Sequence, residues 1–362
     1  MNYQDEFRDR ELVAGLAYRI RRLTAGRTEP MTFMEVCGTH TMAIYQYGLR
    51  TLLPPQVRLI SGPGCPVCVT PNGYLDRALA LSRLPDVTIA TFGDMLRVPG
   101  SRSSLMEERA TGADVRIVYS PLDAVALAAK NPARRVVFLG VGFETTAPTI
   151  AGSILAAQAR GLANYFVLAA HKTIPGPMAI LSSDPDLAIN GYLCPAHVSA
   201  IIGADAYLPL AGRGISCVVT GFEPADIMQG VEMLARQVVE GRYEVENQYR
   251  RVVSREGNRK AQEIIRQVFV TTDATWRGIG VIPASGLAIA PAFREFDAEA
   301  MIPVTVEEPV EHPGCRCGDI LRGKVSPFDC PLFAGVCTPE SPVGACMVSS
   351  EGTCAAAYRY GR

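Results

Sequence analysis

Eleven cysteines are spread unevenly over 362 residues. Three fall between Cys37 and Cys68, six between Cys315 and Cys354, while Cys194 and Cys217 stand apart. In a reducing compartment such usage points to metal or redox chemistry more readily than to structural disulfides. Cys65-Pro-Val-Cys68 lies in a Gly/Pro loop, a spacing that can close a disulfide, and a helix start nearby, with Thr70 or Asn72 as cap, would ease loss of the first thiol proton. Half of a zinc site, or two inert buried thiols, are the other readings, and zinc lacks a second such pair here. Cys37-Gly-Thr-His40 sets a thiol and an imidazole one loop apart, suited to holding a soft transition metal or to acting as nucleophile and base. The plain alternative is a buried thiol beside a structural histidine. The tail reads Cys315-x14-Cys330-x6-Cys337-x16-Cys354, with Cys317 and Cys346 interleaved. Dispersed thiolates in Gly/Pro-rich loops suit an iron–sulfur cluster better than zinc knuckles or disulfides.

Weaker signals accompany these. Gly142-Phe-Glu144-Thr145-Thr146 lacks a P-loop lysine and a dinucleotide fingerprint. Its glutamate could serve as an acid/base or metal partner, or the three polar residues could simply cap a helix. His171 ends an apolar run, and His197, inside Pro195-Ala-His-Val-Ser, reads as an ordinary core histidine in an apolar helix.

The elements that would position these residues follow from periodicity. Short β-branched runs at 32–36, 57–60, 87–92, 115–119, 135–141, 165–170 and 217–220 alternate with helical patterns at 76–84, 122–130, 148–160, 196–202 and 224–240. That alternation predicts βαβ units and parallel sheets. The expected class is α/β, with two parallel-sheet domains (1–130 and 131–241) facing a central cleft, then a helical connection and Cys-rich, loop-rich iron–sulfur region (242–362). Residues 242–269 read as one charged amphipathic helix. Ligands of such sheets sit beyond the strands' carboxyl ends, where the Cys37, Cys65, Glu144 and His171 loops fall, so they are expected to line that cleft. Charge is balanced, 35 Lys+Arg against 36 Asp+Glu, which removes the electrostatic case for nucleic-acid binding. With 48% hydrophobic residues, a charged N-terminal stretch and no long uncharged apolar run, the expectation is a cytoplasmic globular protein with no membrane span.

Cys37-Gly-Thr-His-Thr, Gly62-Pro-Gly-Cys-Pro-Val-Cys68, Gly142-Phe-Glu-Thr-Thr146, Pro195-Ala-His-Val-Ser-Ala-Ile-Ile-Gly203 and the cysteine tail, in that order and over essentially the whole chain, resemble the [NiFe]-hydrogenase maturation family HypD. The resemblance implies a scaffold on which the Fe(CN)2CO unit of the hydrogenase is built, in complex with the chaperone HypC. It further implies that cyanide arrives on HypE, with HypF upstream, and that the hydrogenase large subunit is reached through HypC. On this resemblance Cys37 would be an iron ligand shared with the chaperone, with His40 nearby, and Cys65 and Cys68 would relay electrons. Glu144, Thr145 and Thr146 would line the opposite wall, with His171 and His197 in the cleft. Cys315, Cys330, Cys337 and Cys354 would hold a [4Fe-4S] cluster, with Cys317 and Cys346 as redox groups or alternative ligands. Two rivals share parts of this pattern: a freestanding iron–sulfur disulfide reductase, and a zinc-stabilised docking platform. A radical enzyme dependent on S-adenosylmethionine is disfavoured, because its Cys-x3-Cys-x2-Cys is missing.

Overall fold

A computed structural model of the protein describes residues 5–361. Its strands are β1 (Met31–Glu35), β2 (Val57–Ser61), β3 (Val87–Thr91), β4 (Val115–Ile117), β5 (Arg135–Gly140), β6 (Tyr165–Ala169), β7 (His171–Lys172), β8 (Ile189–Pro195), β9 (Ser216–Thr220), β10 (Val245–Asn247), β11 (Phe269–Trp276) and β12 (Gly280–Ile289). One parallel sheet has the order β10-β9-β8-β1-β2, and a second has the order β4-β3-β5-β6. β11, β12 and β7 form a small antiparallel sheet. The α/β class with two βαβ-type sheets and a Cys-rich tail is therefore present. β1, β3 and β9 are buried along their whole length, as strands covered by helices on both faces must be, which is why they read as continuous apolar runs. Crossover helices carry their own start signals. Ser120 and Asp123 form a capping box around Pro121 at the head of Pro121–Lys130.

Three expectations need correction. The centre of the first sheet is β8, a strand the apolar pattern does not predict because Asn190, Gly191 and Pro195 interrupt it. An added Cβ at Gly191 would crowd the Ser216 carbonyl on β9, so a small residue is required there. With β8 in place, β1 and β2 pair into one sheet with β8–β10, while β3 and β4 join β5 and β6. Sheet membership thus crosses residues 130 and 241. The helix expected over 242–269 is only Arg259–Val268, because β10 and Gly257, at φ +73°, break it. Asn258 starts it, accepting the Ala261 N–H at 3.1 Å. The hairpin β11–β12 has no apolar alternation to reveal it, because the middle of β11 is polar and mostly exposed and Pro283, Ser285 and Gly286 interrupt β12.

Trp276 ties this hairpin to the rest. It is buried, stacks on Phe143 with centroids 6.0 Å apart, and donates from Nε1 to Ser285 Oγ at 2.8 Å. It belongs to the same core cluster as Cys65, Cys68 and four tail cysteines. Trp276→Ala is expected to cost about 3–5 kcal/mol, read from urea unfolding followed by circular dichroism. A loss under about 1 kcal/mol would mean the hairpin is not anchored through this ring.

Candidate functional site

β1 and β2 are neighbours, so the loops leaving their carboxyl ends lie side by side. The Gly38 N–H donates to the Gly64 carbonyl at 3.0 Å, and the Gly62 N–H donates to the Glu35 carbonyl at 2.8 Å. Gly64 rests directly on the Cys37 backbone, where a Cβ would overlap the Cys37 nitrogen. Cys37 and Cys65 then occupy matching positions, each just before the first turn of a helix, Gly38–Gln46 and Pro66–Val69.

Cys37 is buried, and burial pushes its thiol up to about 12, although backbone N–H groups of His40 and Thr39 point at the sulfur and oppose this. A thiol held so high needs a base beside it to act as a nucleophile. The His40 ring makes no hydrogen bond to the thiol. Its Nε2 faces the carbonyls of Thr220 and Gly221 at 3.1 and 2.9 Å, so it carries the ring proton. Burial lowers the ring to about 4, and Nδ1 is left as a buried lone pair without a partner. Beyond it stands Phe222, 4.9 Å from the His40 ring and 4.0 Å from that of His197. His197 is exposed, contrary to its reading as a core histidine.

Two carboxylates complete this loop, and neither stood out in the sequence. Glu35 accepts the Cys37 N–H at 3.3 Å and the Thr41 hydroxyl at 2.6 Å, and burial raises it to about 7. Glu351 arrives from the tail, accepts the Thr39 hydroxyl at 2.7 Å and packs on Gly38. An Oγ–carboxylate contact spanning 312 residues has no local signature.

Cys65 and Cys68 form a disulfide, with Cα atoms 5.2 Å apart, and are only 4% and 0% exposed. The Cys68 sulfur lies 3.9 Å from the carbonyl of Ala345, which opens the turn Ala345–Met347. That turn carries Cys346. Cys315, Cys317, Cys330, Cys337, Cys346 and Cys354 all line one small cavity with Ile320, Leu332, Phe333 and Met347. The Cys317 and Cys346 sulfurs are 3.0 Å apart. Gly344 makes room for this, since a Cβ there would press on the Cys315 sulfur at 2.6 Å. Among the described residues no three His, Cys, Asp or Glu side chains converge tightly enough to grip a metal ion. The donor set is nonetheless all sulfur, and its other walls are apolar, a setting that fits an iron–sulfur cluster.

Glu144 is buried. One carboxylate oxygen accepts the Ile174 N–H at 3.0 Å, the other has no partner, and burial raises the group to about 7. Thr145 and Thr146 are half-buried, and Thr146 precedes the helix Ala147–Ala159 without capping it through its side chain. His171 is buried on β7 against Phe269, 5.0 Å between rings, with burial lowering it to about 3. Cys194 and Cys217, solitary in the sequence, meet as buried thiols on adjacent strands β8 and β9.

A family model named HypD, described as "Hydrogenase formation hypA family", matches residues 11–361. Hydrogenase maturation factor HypD2 of Bradyrhizobium diazoefficiens is 48% identical, covering 100% of this chain and 97% of its own length. Hydrogenase maturation factor HypD of Escherichia coli (strain K12) is 47% identical, with 99% and 98% covered. The namesake from Azotobacter vinelandii is 48% identical, with 100% and 97% covered.

Two outcomes follow from this geometry. Gly64→Ala should separate the Cys37 and Cys65 loops and cost about 1–3 kcal/mol, measured by urea unfolding; an unchanged midpoint would show that the loops yield freely. Glu144 is protonated near 4.5 when unfolded and near 7 when folded, so its contribution to stability falls as pH rises through that window. Glu144→Gln, which cannot ionise, should therefore gain on the parent chain between these pH values by up to about 3 kcal/mol. The check is unfolding at pH 5 and pH 8, and a difference that does not grow with pH contradicts it.

Proposed function

Because the chain belongs to the HypD family of hydrogenase maturation factors, we propose that it is the cytoplasmic scaffold on which iron acquires its cyanide and carbon monoxide ligands for a [NiFe]-hydrogenase. In this reading HypC holds the iron jointly with it, HypE (served by HypF) donates cyanide, and HypC carries the product to the hydrogenase large subunit. The observation that supports the reading most is one of continuity. Cys37 abuts Gly64, Gly64 leads into the Cys65–Cys68 disulfide, and Cys68 touches the turn bearing Cys346 of the six-cysteine cavity.

The residues have distinct parts. Cys37 keeps its proton until a soft cation displaces it, and the N–H groups of Thr39 and His40 then steady the thiolate. His40, neutral with a free Nδ1, offers a second lone pair beside that loop. Cyanide leaves HypE when the S–C bond of its thiocyanate breaks. Two electrons and one proton return the HypE sulfur to a thiol, and cyanide binds iron as the anion. Cys65 and Cys68, as a dithiol, supply both electrons by closing their disulfide and release two protons, of which one goes to the HypE sulfur. Four of the six tail cysteines, in our reading Cys315, Cys330, Cys337 and Cys354, would hold a [4Fe-4S] cluster, with Cys317 and Cys346 beside it. Such a cluster would supply electrons one at a time, so two successive transfers, with two protons, would be needed to reopen the disulfide. Glu144, with an unpartnered oxygen and a value near 7, suits a proton donor or acceptor.

A freestanding disulfide reductase must let a partner's thiol reach its own disulfide. It would share the Cys65–Cys68 pair and the tail cysteines but has no use for a metal-binding thiol at Cys37, whose backbone is packed directly on Gly64 of the Cys65 loop. The test is anaerobic co-purification with HypC, read by infrared and visible spectra. Cys37→Ala should lose the CN and CO stretches and keep the visible cluster absorption, and bands that persist would contradict iron ligation by Cys37.

A further inference from the structure

Arg277 lies between the dithiol helix and the cysteine cavity, and nothing in the activity described so far uses it. Its backbone N–H donates to the Val69 carbonyl at 2.9 Å, and its Nε donates to the Thr70 carbonyl at 2.9 Å. Both carbonyls end the turn that carries Cys65 and Cys68. On its other side the next residue, Gly278, at φ +75°, is pressed against Gly318, which follows Cys317. No side chain fits between those two backbones, so the arginine is held against the cysteine-bearing segment by its own chain neighbour.

The guanidinium is 5% exposed, yet it is poorly neutralised. Its carboxylate contact, Glu311, is long at 3.5 Å and itself 51% exposed. Nη2 is buried without any hydrogen-bond partner. A buried cation left in this way is costly unless a further anion faces it. The strong anion that the surroundings offer is sulfur, since the contact of Gly278 with Gly318 sets Arg277 beside the segment that bears Cys315 and Cys317. Thiolates around an iron–sulfur core leave the whole site negative, and each added electron deepens that charge.

We propose that Arg277 is the counter-cation of the cysteine-lined site, bound to the dithiol turn by its backbone and raising the tendency of that site to accept electrons. This rests on the cluster reading above. The cation does not itself carry electrons. It stabilises the reduced form by Coulomb attraction across a dry, low-dielectric wall, while its hydrogen bonds to Val69 and Thr70 keep the dithiol turn seated beside the site.

The experiment uses the full chain, prepared anaerobically, as parent, Arg277→Gln and Arg277→Lys. Iron and acid-labile sulfide are counted, and the midpoint potential is taken by optical redox titration. Arg277→Gln, loaded with cluster, should be about tenfold harder to reduce, which for one electron is about 59 mV lower. Arg277→Lys, which keeps the charge but not the fork, should recover most of that shift. Should Arg277→Gln fail to hold a cluster, the lysine variant decides alone: a potential near the parent's supports the charge role, and one displaced as far as about tenfold overturns it. An unchanged potential in loaded Arg277→Gln, or equal shifts in both variants, also overturns it. No sulfide in the parent chain would sink the cluster reading and this inference together, so the two failures are distinguishable.

Discussion

The site depends on a backbone approach so close that it excludes a side chain. Where β1 and β2 end, Gly64 lies on the Cys37 backbone and the Gly38 N–H reaches the Gly64 carbonyl. Parallel pairing of β1 with β2 brings two strand ends to the same edge, and the missing side chain lets their loops touch. From that contact two further arrangements follow. Each cysteine stands at the start of a helix, where backbone N–H groups can face its sulfur. The tail can also fold over both loops, placing Glu351 on Gly38 and Ala345 on Cys68.

Burial sets the charge state of nearly everything here. It holds Cys37 as a thiol, His40 and His171 as neutral rings, and raises Glu35 and Glu144 to about 7. A dry site of neutral groups disfavours a bare thiolate and favours a soft metal that brings its own charge. Arg277 is the exception, a buried cation whose neighbour Gly278 packs on Gly318 of the cysteine-bearing segment. The opposition between neutral groups at Cys37 and a fixed positive charge by the tail matches a division between holding a metal cargo and supplying electrons.

Much of this was legible because the chemistry is local in sequence. The Cys-x-x-Cys spacing, the Cys37-Gly-Thr-His40 loop and the crowded tail announce themselves, and β1, β3 and β5 read as buried parallel strands. What escaped was long-range or negative in character. β8 hid behind Asn190, Gly191 and Pro195, and its absence misdirected the grouping of strands around residue 130. Glu35, Glu351 and Arg277 acquire meaning only from partners far along the chain, and an isolated acid or arginine carries no periodic signal. Cys194 and Cys217 seemed solitary until β8 paired with β9. His197 sits in an apolar helix yet is exposed, its ring stacked on the half-buried Phe222.

The proposed role requires electronic continuity between the tail cysteines and the Cys65–Cys68 pair. An anaerobic reductive titration of the purified chain, with iron, sulfide and free thiols counted at each step, tests it most directly. We expect about four irons and four sulfides per chain, with thiols appearing at Cys65 and Cys68 as reducing equivalents are added and no external thiol present. A chain without sulfide, or a disulfide that stays closed after the visible absorption has bleached, would contradict it.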